Sequence, residues 1–318
     1  MVVATLGRSH ELAALLRSLA AEERRDFELI IVDQNPDDRL VPVLASFVGL
    51  MTIIHLRTDR KGVCRARNLG AARARGQWLM FPDDDCWYPR DLLARIDTLR
   101  KDHPADFYCG RATNALGQTI MGDFAAAAVP IEPATVWTTL IEWMLVVKRS
   151  DFDAAGGFDV AIGPGSDTQW GGYEIQDLAL RLLSAGRTGW YDPAFIGHHP
   201  DDRSNRTTPA AVAKMRLYSM GLGYVMRKHG YGFGDYLPRL LRPLAGSSFI
   251  RLPANLAWHT ARGASSPAAG SVGAPPQHPF RLMAPRFRVA ACKVCANTIP
   301  FKLRPGSGWG VAQLRGTL

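Results

Sequence analysis

Phe81-Pro82-Asp83-Asp84-Asp85-Cys86-Trp87 sets three consecutive acids directly after a short apolar run. Gly76-Gln77-Trp78-Leu79-Met80-Phe81 reads as a buried strand, which places the acids at its carboxyl end. In open α/β sheets that edge is where ligands bind. Carboxylates crowded there repel one another unless a cation neutralises them, and their hard oxygens suit Mg²⁺ or Mn²⁺. An ion held this way grips a diphosphate in turn. The competing reading is an acidic strand-to-helix loop whose last Asp caps the helix near Pro89-Arg90-Asp91-Leu92-Leu93.

Upstream of the acids the chain alternates strand-like and helix-like segments. Strands are expected over residues 2–5, 27–32 and 51–56, and helices over 10–21, 39–48 and 62–75. Strands separated by helices imply an α/β fold: a doubly wound, mostly parallel sheet with right-handed crossovers. Downstream the rhythm changes. Residues 107–112 and 118–121 read as strands, 135–147 as an apolar Trp-containing segment, 174–184 as a helix stopped by Gly186, and 208–229 as a long helix. Ser, Ala, Gly and Pro dominate 263–279, which reads as a flexible linker.

The net charge of +9 over 318 residues conceals an asymmetry. From Arg203 onward there are 17 Lys and Arg against one acid, Asp235; before it, 21 stand against 28. An acidic body thus carries a basic C-terminal extension suited to anionic lipid, nucleic acid or an acidic polymer. No nucleic-acid motif accompanies the charge, so specific nucleic-acid recognition is not expected. Five scattered cysteines fit a reducing compartment, and the lone Cys292-Lys293-Val294-Cys295 lacks the second pair of a zinc site. The chain opens directly into Met1-Val2-Val3-Ala4-Thr5, and its longest apolar run, 41–56, carries a Pro and is too short to span a bilayer. A cytoplasmic protein is expected, peripheral on the inner face of the cell membrane through residues 237–261, which mix Leu, Phe and Trp with Arg.

Other edge positions carry chemistry. Asp33 closes the second strand, where a carboxylate accepts hydrogen bonds from a base or ribose. Thr5-Leu6-Gly7-Arg8-Ser9 replaces the G-x-G-x-x-G of a dinucleotide site. Arg67, at a helix start, is placed to meet a diphosphate.

The ordered set Val3-Ala4-Thr5, Ile31-Val32-Asp33-Gln34-Asn35, Arg67-Asn68-Leu69-Gly70, Phe81-Pro82-Asp83-Asp84-Asp85, Gly156-Gly157-Phe158-Asp159, Trp170-Gly171-Gly172-Tyr173-Glu174-Ile175-Gln176-Asp177-Leu178 and Tyr191-Asp192-Pro193 resembles the family-2 inverting glycosyltransferases of GT-A fold, of the bacterial polysaccharide or lipid-linked glycan type. The likeness runs from residue 2 to about 230. It implies a glycosyltransferase domain over 1–202, a basic helical extension over 203–262, and a linker with basic tail over 263–318.

The resemblance also implies roles. Thr5 and Asp33 match positions that hold the nucleotide base, and Arg67 a base- or phosphate-side contact. Asp83 and Asp85 bracket a metal-binding DxD pattern, with Asp84 between them facing the ribose or the ion. Gly157 lies in the turn at the donor-sugar and acceptor cleft. His199 matches a histidine that follows the last core strand and approaches the diphosphate or metal.

The family pattern runs Glu-Asp or Glu-Glu, a spacer, then Asp-Leu. Here the second acid, usually the base, is Ile175, which cannot take a proton. Glu174 and Asp177 remain on one helix face. Glu174, at the helix start, is the expected base and Asp177 the alternative. The implied reaction is metal-assisted displacement, a hydroxyl of a glycan or lipid-linked acceptor attacking a nucleoside diphosphate sugar. Two other readings stay open. One is a non-catalytic or weakly active sugar-nucleotide binder, in keeping with Ile175. The other is a sugar nucleotidyltransferase, which would carry a Gly-rich loop after the first strand.

Overall fold

A computed structural model of the chain describes residues 1–201 and 208–245. β1 (Val2–Thr5), β2 (Glu28–Asp33) and β3 (Thr52–Arg57) form a parallel sheet in that order. Val2, Val3 and Leu29 to Val32 are wholly buried, as near-continuous apolar runs covered on both faces must be. The register pairs Thr5 with Asp33, so two polar side chains leave the sheet at one level of its carboxyl edge. Three helices connect these strands to the rest. α1 (His10–Ala20) buries Leu12, Leu15, Leu16 and Leu19 at helical spacing, and α3 (Val63–Ala71) packs on β1 and β2. α2 (Val41–Ala45) is shorter than the expected 39–48 because Val41 and Val48 are exposed, leaving too little buried surface to hold more turns.

The second sheet has the order β4 (Trp78–Met80), β7 (Val146–Lys148), β5 (Phe107–Thr113), β8 (Gly189–His198), β6 (Val129–Ile131). A parallel bridge between Ala4 and Asp83 ties the end of β4 to β1. β5 and β8 pair in parallel, whereas β7 runs antiparallel to β4 and β5, and β6 antiparallel to β8. Residues 107–148 contain no crossover helix, only a 3-10 turn at Glu142–Met144, and antiparallel neighbours need none. The strand expected over 118–121 reduces to one bridge, Thr113 to Thr119, and Met121 turns out of extended geometry with φ 62°.

α4 (Leu92–Asp102), α5 (Arg149–Ala154) and α6 (Glu174–Ser184) cover the sheets. Trp143, Tyr108, Tyr191, Phe81 and Phe107 are the largest wholly buried side chains of the shared core. Two further helices, α7 (Pro209–Lys228) and α8 (Phe233–Ala245), lie in the same compact unit. α7 approaches through glycine. A Cβ on Gly171 would stand 2.7 Å from Leu217, and one on Gly221 2.5 Å from the Gly172 carbonyl. Trp170 stacks on Tyr224 at 3.6 Å between ring centroids. The Trp-Gly-Gly run is therefore a seat for α7.

Cys64, Cys86 and Cys109 are free and buried. Among the described residues no helix is long and apolar enough to cross a membrane. The part of the expected interfacial segment beyond residue 245, the linker over 263–279, the basic tail and Cys292 with Cys295 lie outside the described residues.

Candidate active site

The site is built on the carboxyl edge shared by β1, β2 and β4. Asp33 is 1% exposed, and its Oδ1 accepts from the Asn35 backbone N–H (2.8 Å) and side-chain amide (2.7 Å). Its Oδ2 meets His55 Nε2 at 3.0 Å. Asn35 and Gln34 then tie neighbouring loops inward: Asn35 Oδ1 accepts from Gly7 N–H (2.7 Å) and Gln34 Oε1 from Gly62 N–H (2.8 Å). Thr5 is buried beside Asp84 at the same edge.

The three acids after β4 each face a cation of the chain itself. Asp83 Oδ1 accepts from Arg67 Nη2 at 2.7 Å. Arg8, in the loop after β1, bridges Asp84 Oδ1 (2.7 Å) and Asp85 Oδ2 (2.6 Å) through one nitrogen. Asp85 Oδ1 meets His199 Nε2 at 3.0 Å, while His199 Nδ1 faces the Pro200 carbonyl at 2.8 Å. Both ring nitrogens therefore face acceptors, and only an imidazolium donates at both. Burial works to push the Asp85 carboxyl up, but the hydrogen bond and charge of His199, with Arg8, hold it below its ordinary value. Burial alone lowers His199, and Asp85 more than reverses that. Asp84 goes the other way: burial raises it despite Thr5 and Arg8.

Arg67 joins the acids to the opposite wall. It is 2% exposed, its Nη1 reaches Glu174 Oε1 at 3.3 Å, and its guanidinium lies 5.5 Å from the Phe158 ring centroid. Its Nε has no partner among the described residues. Glu174 opens α6 directly after Tyr173, which adopts left-handed geometry at φ 74°. That conformation costs a non-glycine residue about 1–3 kcal/mol and sets the direction in which the helix starts.

Two expected site residues have other duties. Asp177 is wholly buried, salt-bridged to Arg181 (2.9 Å), Lys228 (2.7 Å) and His229 (2.8 Å). Although burial opposes it, hydrogen bonds from His229 and Lys228 bring its carboxyl down to about 2. It is a clasp between α6 and the end of α7, unable to serve as a base near neutrality. Gly157 is held in a turn. Its N–H bonds Phe152 O, its carbonyl accepts from Arg181, and at φ +71° an added Cβ would stand 2.7 Å from Asn68 Oδ1. Asn68 in turn brackets Phe158, donating to its carbonyl (2.8 Å) and accepting from its N–H (2.9 Å), which sets the ring beneath Arg67. Gly157 thus shapes the turn behind the site. Ile175 is wholly buried in the core.

Two residues go beyond the sequence reading. Arg8 occupies the acids with no motif to announce it. Glu142, in the 3-10 turn before β7, lies within electrostatic reach of Glu174, Arg67 and Asp83. Its signal was available: it is the sole acid of the apolar run 135–147, and an acid there is seldom accidental.

A divalent ion can be tested against these groups. Among the described residues, no three His, Cys, Asp or Glu side chains are grouped as a ready metal site. Mg²⁺ and Mn²⁺ need less, since one or two carboxylates with substrate phosphates suffice. Asp83 and Asp85 are hard oxygen donors on one loop, and the cations at this acid cluster show that it requires positive charge. The donor set fits.

Residues 1–119 match the model described as "Glycosyl transferase family 2". Over residues 1–119 the chain is therefore similar to the family-2 glycosyltransferases. An uncharacterized glycosyltransferase of Haemophilus influenzae is 29% identical over 192 residues, 58% of this chain and 61% of that protein. A PGL/p-HBAD biosynthesis glycosyltransferase of Mycobacterium bovis is 37% identical over 123 residues, 36% of this chain and 48% of its relative. The chain thus spans about half to three-fifths of these curated relatives. The crystal structure of S. aureus TarS 1-349 in complex with UDP-GlcNAc superposes with a TM-score of 0.53 at 14% identity, covering 79% of this chain and 75% of TarS 1-349; at that identity the likeness concerns the fold.

Proposed function

We propose that this protein transfers a sugar from a nucleoside diphosphate donor to a hydroxyl of a glycan or lipid-linked acceptor, with inversion at the anomeric carbon. The observation that carries the reading is the meeting of Thr5, Asp33, Arg67, Asp83 to Asp85 and His199 on one sheet edge. Relatives named as glycosyltransferases and a structural neighbour solved with a nucleotide sugar support it.

In this reading Thr5 and Asp33 border the nucleoside, and the rigid Asn35 and Gln34 contacts hold the loops that flank it. Arg67 stands at the diphosphate. Asp83 and Asp85, with His199 once it gives up its Nε2 proton, would hold Mg²⁺ or Mn²⁺. Such an ion, when bound, neutralises charge developing on the leaving diphosphate. Arg8 must release Asp85 for this, and its half-exposed side chain is free to turn toward the phosphates. A cleft carboxylate takes the acceptor proton. Of the two sequence candidates, Asp177 is committed to Arg181, Lys228 and His229, and one oxygen of Glu174 to Arg67.

The exposed Phe233 and Leu237 on α8, beside the basic extension, support attachment to an anionic membrane where a lipid-linked acceptor resides. Removing residues 233–318 should weaken co-sedimentation with anionic vesicles; undiminished binding rules the extension out.

Thermal-shift titration of UDP-, GDP- and dTDP-sugars with and without Mn²⁺ tests the donor reading. One donor class should stabilise the protein in a Mn²⁺-dependent way, and Asp85→Ala should weaken that by more than about tenfold. Stabilisation by none of them, or equal stabilisation of the variant, refutes it.

A further inference from the structure

The enclosure of Glu174 poses a question about proton transfer. Glu174 is 3% exposed and one of its oxygens is committed to Arg67. An acceptor hydroxyl has little room to reach it. Glu142 presents the opposite case. Its neighbours Trp143 and Met144 are wholly buried, yet Glu142 itself is partly exposed. Its carboxylate takes no hydrogen bond or ion pair from another described side chain. The 3-10 turn that carries it lies against β5 and leads into β7, so it stands on rigid structure.

From this geometry we infer that Glu142 is the catalytic carboxylate that accepts the proton of the attacking hydroxyl, while Glu174 is a positioning residue that fixes Arg67. The inference rests on the transferase reading above. The step balances simply. The acceptor O–H proton passes to Glu142, the acceptor oxygen bonds the anomeric carbon, and the bond from that carbon to the diphosphate oxygen breaks with its electron pair on the diphosphate. Glu142 then returns the proton to solvent.

The surroundings suit the role. Glu174 opens α6 with Tyr173 before it, Arg67 and Cys64 come from α3, Asp83 follows β4, Cys109 is on β5 and Tyr218 is on α7. Burial, followed by the negative charge of Glu174, raises the Glu142 carboxyl, with Arg67 opposing. A carboxylate raised in this way is a better base near neutrality than an ordinary one. Burial, followed by the charge of Glu142, raises the Tyr218 hydroxyl on α7, which keeps it protonated.

The test uses the full chain and whichever UDP-, GDP- or dTDP-sugar it consumes, with water or a simple glycoside as acceptor. Glu142→Gln should reduce kcat roughly 100-fold or more, the usual contribution of a general base, with donor affinity within about threefold. Glu142→Asp, the poorer isostere, should retain more activity than Glu142→Gln, which a packing role would not produce. The acid limb of the wild-type kcat profile should vanish in Glu142→Gln. Glu174→Gln should instead weaken donor binding through Arg67. A wild-type enzyme that turns over donor while Glu142→Gln keeps its kcat overturns this inference alone. A folded wild type that consumes none of these donors overturns the transferase reading and this one with it.

Discussion

Replacing Asp177 by Asn isolates the clasp that holds α7 to the body. The carboxylate serves Arg181, Lys228 and His229 from a wholly buried position, and its pKa stands at about 2 against an ordinary 3.8. A difference of that size corresponds to about 2 kcal/mol of folding free energy. The uncompensated cations left by Asn add to the loss, though Lys228 and Arg181 reach solvent enough to limit it, so about 2–3 kcal/mol is expected at pH 7. Because the folded-state pKa is depressed, this stabilisation is complete above about pH 4 and disappears as pH falls toward 2. Urea unfolding of both proteins across pH 7 to 2.5 measures it. The gap should be full at pH 7 and close below pH 4, while the folded variant keeps its donor affinity. A deficit under about 0.5 kcal/mol at pH 7, or one unchanged at pH 3, refutes the clasp.

Arg67→Lys should weaken nucleotide-sugar binding roughly tenfold, because one ammonium cannot span Asp83 and Glu174 as the guanidinium does; titration calorimetry with the bound donor would reveal any unaltered affinity. Gly157→Ala combines φ +71° with a 2.7 Å approach to Asn68 Oδ1, and should lower stability by about 1–3 kcal/mol in thermal melts; a variant as stable as wild type contradicts the turn's role.

The first half of the fold was legible because its signals are local. Val2–Thr5, Glu28–Asp33 and His10–Ala20 bury what their periodicity says they bury. The acids after Met80 fall at the strand's carboxyl end for the same reason. The antiparallel β6 and β7 were harder to read, since three-residue strands carry too few side chains to show a period. Asp177 was the second candidate base after Glu174, on the same helix face. Its duty depends on Lys228 and His229, some fifty residues onward, which no local pattern announces. Arg8 was missed likewise, since it acquires meaning only when the fold brings it beside acids far away in the chain; Glu142 showed as the lone acid of an apolar run, but its neighbours in the fold did not show. The Trp-Gly-Gly run was visible, but its use as a seat for α7 was not.

Transfer at this edge requires that an activated sugar be cleaved and passed on. Proton NMR of the purified full chain with Mn²⁺ and its stabilising nucleotide sugar follows donor and product anomeric signals directly. The expected spectrum shows donor loss, free nucleoside diphosphate and a first-formed sugar product of inverted anomeric configuration. A first-formed product of retained configuration, or a donor that stays intact beside folded protein, contradicts it.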